Sequence, residues 1–183
     1  MSTTAWDGER LLAATCSEGT WTLQRLGLDG TVEQLEQPFN DLAGLQACDG
    51  RAVAIASNST CLTGLLELDL RCRTTTWRHS AAAPSPLSPE QISVAKPLWF
   101  QGHNQQQTHS WYYPPIGGGE GPAPLLVKSH SGPTAMARCG LSLAIQYWTS
   151  RGWGGVDVKY VGSTGVGLAF RERLNVGWCL VHV

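Results

Sequence analysis

The sequence is poor in charge, and it has neither a basic cluster nor a long apolar run. Asp, Glu, Lys and Arg make up 15% of the 183 residues, below the roughly 25% of a typical soluble domain. The formal net charge is −1 and no run of Lys or Arg occurs, so we expect no nucleic-acid partner, because phosphate recognition needs clustered cations. No stretch approaches the roughly 18 apolar residues of a membrane-spanning helix, so we expect no membrane partner.

Signals for secretion and for metal binding are also missing. Residues 1–8 have neither the basic nor the apolar segment of a secretory leader, so we expect a cytoplasmic protein. No two cysteines are spaced as Cys-x-x-Cys, and no His lies at a metal-site interval from a pair, so we expect no metal ion or other cofactor. An even cysteine count would indicate disulfides only in a short secreted chain. We therefore expect free, buried thiols at Cys16, Cys48, Cys61, Cys72, Cys139 and Cys179.

Short apolar runs separated by Asp-Gly turns fill the first part of the chain. They predict strands at 11–14, 21–28, 52–56 and 62–70, paired as antiparallel hairpins. The turn at Asp7-Gly8 recurs at Asp49-Gly50, 42 residues later, and a β-propeller blade occupies about 40 to 45 residues. This spacing predicts two blades, which cannot close a ring alone. The alternative is a small β-sandwich with similar hairpins.

The second part of the chain has a different order of elements. A proline-rich connection at 81–89 precedes predicted strands at 92–100 and 110–113, and a glycine-rich break follows at 117–122. Beyond it, strands at 124–129 and 152–160 flank a helix at 141–149, which predicts a βαβ unit and a parallel sheet. The predicted organisation is therefore a partial β-propeller at 1–116, a linker at 117–123 and a second domain at 124–183.

Three sequence motifs follow one another in this second domain. They are Pro-Leu-Leu-Val-Lys-Ser-His-Ser-Gly-Pro-Thr at 124–134, Gln-Tyr-Trp-Thr-Ser-Arg-Gly at 146–152, and Tyr-Val-Gly-Ser-Thr-Gly-Val-Gly at 160–167. In residues, order and spacing they resemble the opening of the catalytic domain of the prolyl oligopeptidase family of serine peptidases, of the dipeptidyl aminopeptidase and acylaminoacyl-peptidase type. In that family the corresponding phrases are His-Gly-Gly-Pro, Tyr-Trp-x-x-x-Gly and Tyr-Arg-Gly-Ser-Thr-Gly-Tyr-Gly. The resemblance implies the last blades of a β-propeller followed by the start of an α/β-hydrolase domain.

The resemblance also implies a site. The oxyanion loop would consist of His130, Ser131, Gly132 and Pro133, with the Gly132 N–H as one donor to the charge that develops on a carbonyl oxygen during acyl transfer. His130 and Pro133 would shape this loop. The alternative is a loop that merely caps its strand. The family's second motif corresponds to Tyr160, Gly162, Ser163, Thr164, Gly165 and Gly167.

The chain departs from the family pattern at several positions. Ser131 replaces a glycine, and because Ser tolerates a positive φ poorly, altered loop geometry is expected. Val161, Val166 and Leu168 replace the usual Arg, Tyr and Arg or similar polar residues, and His182 stands where Asp is common. These departures suggest a relaxed constraint on this part of the chain.

The catalytic triad is absent from the sequence. No serine has glycine at both −2 and +2, as a Gly-x-Ser-x-Gly nucleophile requires, and this holds for Ser131 and Ser163. A dyad of His130 with Ser131 is not expected, because adjacent residues of an extended segment point to opposite faces. We therefore predict no catalytic residue in this chain.

The remaining polar and aromatic residues are interpreted structurally. Asp157 is expected to be a hydrogen-bonding residue of a strand. The histidines at 79, 103 and 109 are expected to be solvated in polar connections. The tryptophans at 148, 153 and 178 are expected to pack between helix and sheet rather than to form a substrate platform.

The sequence thus predicts a fragment of a serine-type peptidase that ends before the catalytic serine and is inactive alone. The intact family acts on short peptides. The alternative is a non-catalytic β-rich interaction module, or one half of a split hydrolase, because exposed sheet edges are either interfaces or aggregation sites. A complementing chain or self-association would then be the partner.

Overall fold

The computed structural model describes residues 2–79, 85–117, 121–132 and 134–175. Within these ranges the chain forms three open four-stranded sheets, two short α-helices and two single-turn 3-10 helices, Pro89–Gln91 and His103–Gln105. Most of the predicted proline-rich connection, part of the glycine-rich break, Cys179, His182 and Trp178 lie outside the described residues.

The first sheet is an antiparallel meander of four strands. They are β1 (Thr4–Trp6), β2 (Leu11–Ser17), β3 (Thr20–Leu26) and β4 (Val32–Leu35). Glu18 and Gly19 join β2 to β3 with φ of 49° and 81°, the backbone pattern of a type I′ hairpin turn. The hairpin places the Gly19 backbone at the end of this sheet, where it contacts the third sheet.

The second sheet repeats the first one. Its strands are β5 (Asp41–Cys48), β6 (Arg51–Asn58), β7 (Cys61–Asp69) and β8 (Thr74–His79). The last strands of the two sheets begin at Val32 and Thr74, 42 residues apart, which is the repeat that the Asp-Gly turns predict. The predicted strands at 11–14, 21–28, 52–56 and 62–70 fall on β2, β3, β6 and β7, whereas β1, β4, β5 and β8 were not predicted.

One apolar core lies between these two sheets. Its fully buried leucines come from β2, β3, β5 and β7: Leu12, Leu23, Leu42, Leu45 and Leu66. Small residues of β6, Ala52, Ala54 and Ala56, complete the contact. Because their burial depends on the neighbouring sheet, the two sheets stabilise one another.

The third sheet is mixed, in the order β11-β12-β10-β9. Its strands are β9 (Lys96–Gln101), β10 (Gln107–Tyr113), β11 (Leu125–Ser129) and β12 (Gly154–Lys159), with α1 (Leu143–Thr149) between β11 and β12 and α2 (Leu168–Glu172) after them. β11 and β12 are parallel, so the predicted βαβ unit is confirmed. The strand predicted at 92–100 starts later, at Lys96, and the helix predicted at 141–149 starts at Leu143.

Strands from both sides of the predicted 117–123 linker belong to this third sheet. β10 precedes the linker and pairs with β12, which follows it, from His109–Lys159 to Tyr113–Gly155. The unit predicted at 1–116 therefore includes two strands of the third sheet.

A segment between β11 and α1 ties the third sheet to the second. The Arg138 guanidinium donates to Asp41 Oδ1 (2.7 Å) and to the Leu42 carbonyl (2.9 Å). The Leu141 N–H donates to the Asn58 carbonyl (2.8 Å). These contacts hold the segment 134–141 against the ends of β5 and β6.

The expectation of buried thiols is correct only in part. Five cysteines are described and all are free, but only Cys139 is buried, whereas Cys48 and Cys72 are exposed. Cys48 ends β5 and Cys72 lies in the turn after β7, so each lies at a sheet end that no neighbouring element covers. No helix among the described residues has the length and hydropathy needed to cross a membrane.

Candidate functional site

Two loops leave the third sheet side by side. β11 ends at Ser129 and β12 at Lys159, and Ser129 pairs with Val158. Because the strands are parallel, the loop at 130–132 and the loop at 160–167 start from the same edge of the sheet. Both family-like motifs therefore meet at one place.

A hydrogen bond between His130 and Ser163 joins these loops. His130 Nε2 lies 2.6 Å from Ser163 Oγ, and Ser163 Oγ lies 2.6 Å from the Tyr160 carbonyl oxygen. A carbonyl only accepts, so the single hydroxyl proton of Ser163 is donated to Tyr160. His130 Nε2 must then carry a proton and donate it to Ser163.

This geometry excludes Ser163 as a nucleophile activated by His130. A general base would need an unprotonated nitrogen facing the hydroxyl, whereas the nitrogen that faces Ser163 is a donor. Ser163 is also fully buried, so no substrate reaches it. Burial lowers the pKa of His130, which favours the neutral form of the ring. Sequence reasoning considered only a pairing of His130 with Ser131 and missed the one with Ser163, because the two residues are 33 positions apart.

Tyr160 fixes the rest of the first loop. Its ring stacks on His130, with centroids 4.2 Å apart. Its hydroxyl is within hydrogen-bond distance of the His130 carbonyl (2.9 Å) and of the Gly132 carbonyl. The carbonyl groups of the loop are thus turned towards Tyr160.

The loop has its positive φ at Gly132, not at Ser131. Gly132 has φ of 71°, a left-handed conformation that glycine adopts at little cost. Ser131 is exposed and is not among the described residues with positive φ. The strain expected from serine at this position is therefore absent. Pro133 lies outside the described residues.

The second loop depends on glycine at three positions. Gly162, Gly165 and Gly167 have φ of 94°, 81° and 102°. The Thr164 N–H donates to the Ala135 carbonyl (3.0 Å), and the Gly165 carbonyl accepts from the Gly19 N–H (2.8 Å). This loop therefore also contacts the β2–β3 hairpin of the first sheet.

Asp157 is a buried hydrogen-bonding residue of β12, as predicted. Its carboxylate is 2% exposed and its Oδ2 lies 2.5 Å from Lys128 Nζ. Its Oδ1 has no hydrogen-bond partner among the described residues. Trp148 and Trp153, which were predicted to pack between helix and sheet, contact each other with ring centroids 5.3 Å apart, and Trp148 is 39% exposed.

The expectation that His109 is solvated is wrong. His109 is fully buried between Trp99 and Trp111, whose ring centroids lie 4.9 and 5.1 Å from its own. Burial, together with the charge of Lys159, lowers its pKa to about 4. The alternation of His109, Trp111 and Tyr113 along β10 was the available signal, because a strand directs alternate side chains to one face.

Sequence reasoning also missed Lys159, which is fully buried beside His109. Its ammonium lies over the Trp111 ring, 5.0 Å from the centroid, and has no hydrogen-bond partner among the described residues. Burial lowers its pKa to about 8. Within the described ranges no group of three or more His, Cys, Asp or Glu residues is placed to hold a metal ion.

No protein-family model matches the chain, and no curated protein matches it. Solved structures do match. A puromycin-hydrolyzing peptidase of Mycobacterium tuberculosis is 29% identical with a TM-score of 0.88, over 98% of this chain and 29% of that one. A puromycin hydrolase is 28% identical with a TM-score of 0.87, over 99% of this chain and 28% of that one.

A more distant match shares the fold. The acylaminoacyl peptidase of Pyrococcus horikoshii is 21% identical with a TM-score of 0.69, over 94% of this chain and 27% of that one. The chain thus spans less than a third of the length of the peptidases that it matches. Its fold is thus shared with part of these peptidases, and its three motifs follow one another in the order expected from the resemblance to the prolyl oligopeptidase family.

Proposed function

We propose that this chain supplies the oxyanion loop of a serine peptidase site and does not hydrolyse peptides alone. One observation carries the proposal: the His130–Ser163 and Tyr160–Gly132 contacts hold the loop at the end of a parallel strand pair, while the sequence contains no Gly-x-Ser-x-Gly. The chain would therefore position a donor without providing the nucleophile, acid or base.

The donor would be the Gly132 N–H. Gly132 is exposed and no backbone acceptor for its N–H is found in the described part of the chain. A preorganised N–H of this kind stabilises the negative charge on a tetrahedral intermediate, and removal of one such donor costs about 100- to 1000-fold in rate. His130 and Tyr160 act as positioning residues for it.

The first two sheets would be the last blades of a β-propeller. Each is a four-stranded antiparallel meander, and they repeat at a 42-residue offset, as consecutive blades do. The third sheet would be the start of an α/β-hydrolase domain. We place the boundary between β8 and β9, because β9 and β10 pair within the third sheet.

A further polypeptide segment would complete the third sheet. β11 is an edge strand, with Leu125 and Val127 exposed by 53% and 63%. Parallel strands are usually covered on both faces and flanked by further strands. We propose that either a complementing chain or a second copy covers this edge.

A cytoplasmic location is part of the proposal, since free exposed thiols at Cys48 and Cys72 suit a reducing compartment.

Labelling with a fluorophosphonate, which reacts with activated serines, tests the proposal. The purified chain is labelled alone and after mixing with the segment of a puromycin hydrolase that follows the part matched here. We expect no label on this chain in either case, and label on the partner segment only in the mixture. Label on the chain alone would contradict the proposal.

A pair of glycine variants tests the role of the loop in the mixture. Gly132→Val and Gly121→Val both place a side chain at a positive φ (71° and 121°) with no atom within 4 Å of the added Cβ. We expect Gly132→Val to slow labelling of the partner by at least tenfold and Gly121→Val to leave it unchanged. Equal rates in both variants would remove the proposed oxyanion role.

The alternative is a non-catalytic interaction module, favoured by the exposed apolar edge at β11. Size-exclusion chromatography of the chain and of the mixture distinguishes the split peptidase from the interaction module. A stable mixed complex that is labelled supports the split peptidase. Self-association of the chain without any labelled complex supports the interaction module.

A further inference from the structure

A cleft of about 250 Å³ is lined by the end of the 160–167 loop, and His130 is not among its lining residues. One wall is the β2–β3 hairpin, with Cys16 and Trp21, and the other is the segment from Thr164 to Arg171. The Gly19 N–H donates to the carbonyl of Gly165, a lining residue, so the two walls are joined by a hydrogen bond. The cleft holds one small group rather than a long chain.

The lining combines apolar surface with a single charge. Trp21, Met136 and Leu168 provide the apolar side chains, and Arg171 provides a guanidinium. No Asp or Glu lines the cleft. Such a lining favours a ligand with an apolar body and a negative end.

A buried cation behind the wall adds to the positive potential. The Lys159 ammonium lies so close to Gly19 that a Cβ there would collide with it, and it has no hydrogen-bond partner among the described residues. Asp157 and Asp41 act on this charge from a distance, but each is ion-paired with another cation, Asp157 with Lys128 and Asp41 with Arg138, so they offset it only in part. In a medium of low polarity the remaining charge acts over a longer distance than in water.

We propose that this cleft binds an apolar carboxylate about as large as one or two amino-acid residues. The choice of a peptide C-terminus as the source of the carboxylate rests on the proposed peptidase function. The Arg171 guanidinium would pair with the carboxylate, a charge-assisted interaction that can be bidentate. Trp21, Met136 and Leu168 would contact the apolar side chain.

Cys16 provides a local reporter, since its thiol is half-buried in the cleft. The experiment measures the rate of Cys16 alkylation by iodoacetamide at about pH 7, where Lys159 keeps its charge, by peptide mass spectrometry, with and without N-acetyl-leucine. Cys48 and Cys72 are exposed elsewhere and serve as controls in the same sample. We expect a severalfold slower reaction at Cys16 and unchanged rates at Cys48 and Cys72.

Two further ligands identify the recognised group. N-acetyl-leucinamide lacks the negative charge, and we expect at least tenfold weaker protection, since a charged hydrogen-bonded pair contributes about that factor. Equal protection by the amide, or no protection by the acid, would overturn the proposal. Octanoate distinguishes a peptide carboxylate from a fatty acid: stronger protection by octanoate would overturn the peptide assignment.

Variants identify which charged side chain binds the carboxylate. Arg171→Gln is expected to weaken protection by N-acetyl-leucine about tenfold, whereas Arg51→Gln, on an exposed position of β6, is expected to leave it unchanged. Lys159→Met keeps the length of the buried side chain and is expected to weaken protection by a smaller factor. Unchanged protection in both Arg171→Gln and Lys159→Met would overturn the proposal. No catalysis is measured, so failure of this binding site is distinguishable from failure of the proposed peptidase function.

Discussion

Ser163 accepts a hydrogen bond from His130 Nε2 at 2.6 Å and donates one to the Tyr160 carbonyl at 2.6 Å. One buried hydroxyl thus links the ends of two parallel strands. Its loss would leave the His130 N–H without an acceptor inside the protein, which costs more than the hydrogen bond itself contributes.

We therefore expect Ser163→Ala to lower the free energy of unfolding by about 1 to 3 kcal/mol. Ser131→Ala is the matched control, because Ser131 is exposed in the neighbouring loop, and a change within about 0.5 kcal/mol is expected there. Urea denaturation of the two variants measures both values. Equal stability of Ser163→Ala and the parent chain would show that the link contributes nothing.

His109 should make the chain sensitive to acid. Its pKa is lowered from 6.5 to about 4 by burial and by Lys159, so the unfolded chain binds a proton below about pH 6.5 that the folded chain binds only near pH 4. Stability should fall across that window by roughly 2 to 4 kcal/mol from this residue. The difference between the parent chain and His109→Phe, measured from pH 7 to pH 4, isolates the contribution. A pH-independent difference would contradict the assignment.

Lys159 should have a measurable cost to stability at neutral pH. A buried ammonium without a hydrogen-bonded partner is unfavourable. We therefore expect Lys159→Met to raise the free energy of unfolding by roughly 1 to 3 kcal/mol. Lys96→Met, at an exposed position of β9, is the control and should change it little. The folded pKa of about 8 lies below the ordinary 10.5. The parent chain should therefore gain stability as the pH rises from 8 to 10.5, and the advantage of Lys159→Met should shrink in thermal unfolding over that range.

The edge at β11 should govern association of the chain with itself. Val127 is 63% exposed on this edge, and a lysine on an edge strand opposes pairing with another strand. Val127→Lys is expected to reduce the apparent mass in size-exclusion chromatography at high protein concentration. Leu28→Lys, at a turn residue that is 88% exposed, is the control. Association that both variants retain would place the interface elsewhere.

Strands with strong apolar runs were predictable, whereas short polar strands were not. β4 is Val-Glu-Gln-Leu and β8 begins Thr-Thr-Thr, and neither contains an apolar run. They are strands because β3 and β7 offer them a free hydrogen-bonding edge, and such an edge arises only after the sheet has formed. Whether a neighbouring strand is available for pairing depends on long-range contacts, and local residue propensity does not contain them.

The same distinction applies to the candidate site. The phrases around His130 and Tyr160 were evident from residue order, but the bond between His130 and Ser163 depends on the parallel register that sets Ser129 beside Val158. Ser131 was expected to adopt a strained positive φ. The positive φ of this loop is at Gly132 instead.

The repeat of two β-meanders, the βαβ unit and the family resemblance could be predicted from residue order, because apolar periodicity and turn residues act locally. The burial of His109 and Lys159 and the cleft beside Cys16 could not, because they depend on how the first sheet packs against the third. Side chains 50 positions apart, such as His109 and Lys159, become neighbours only through strand pairing. Their unusual pKa values follow from that pairing and from the exclusion of water.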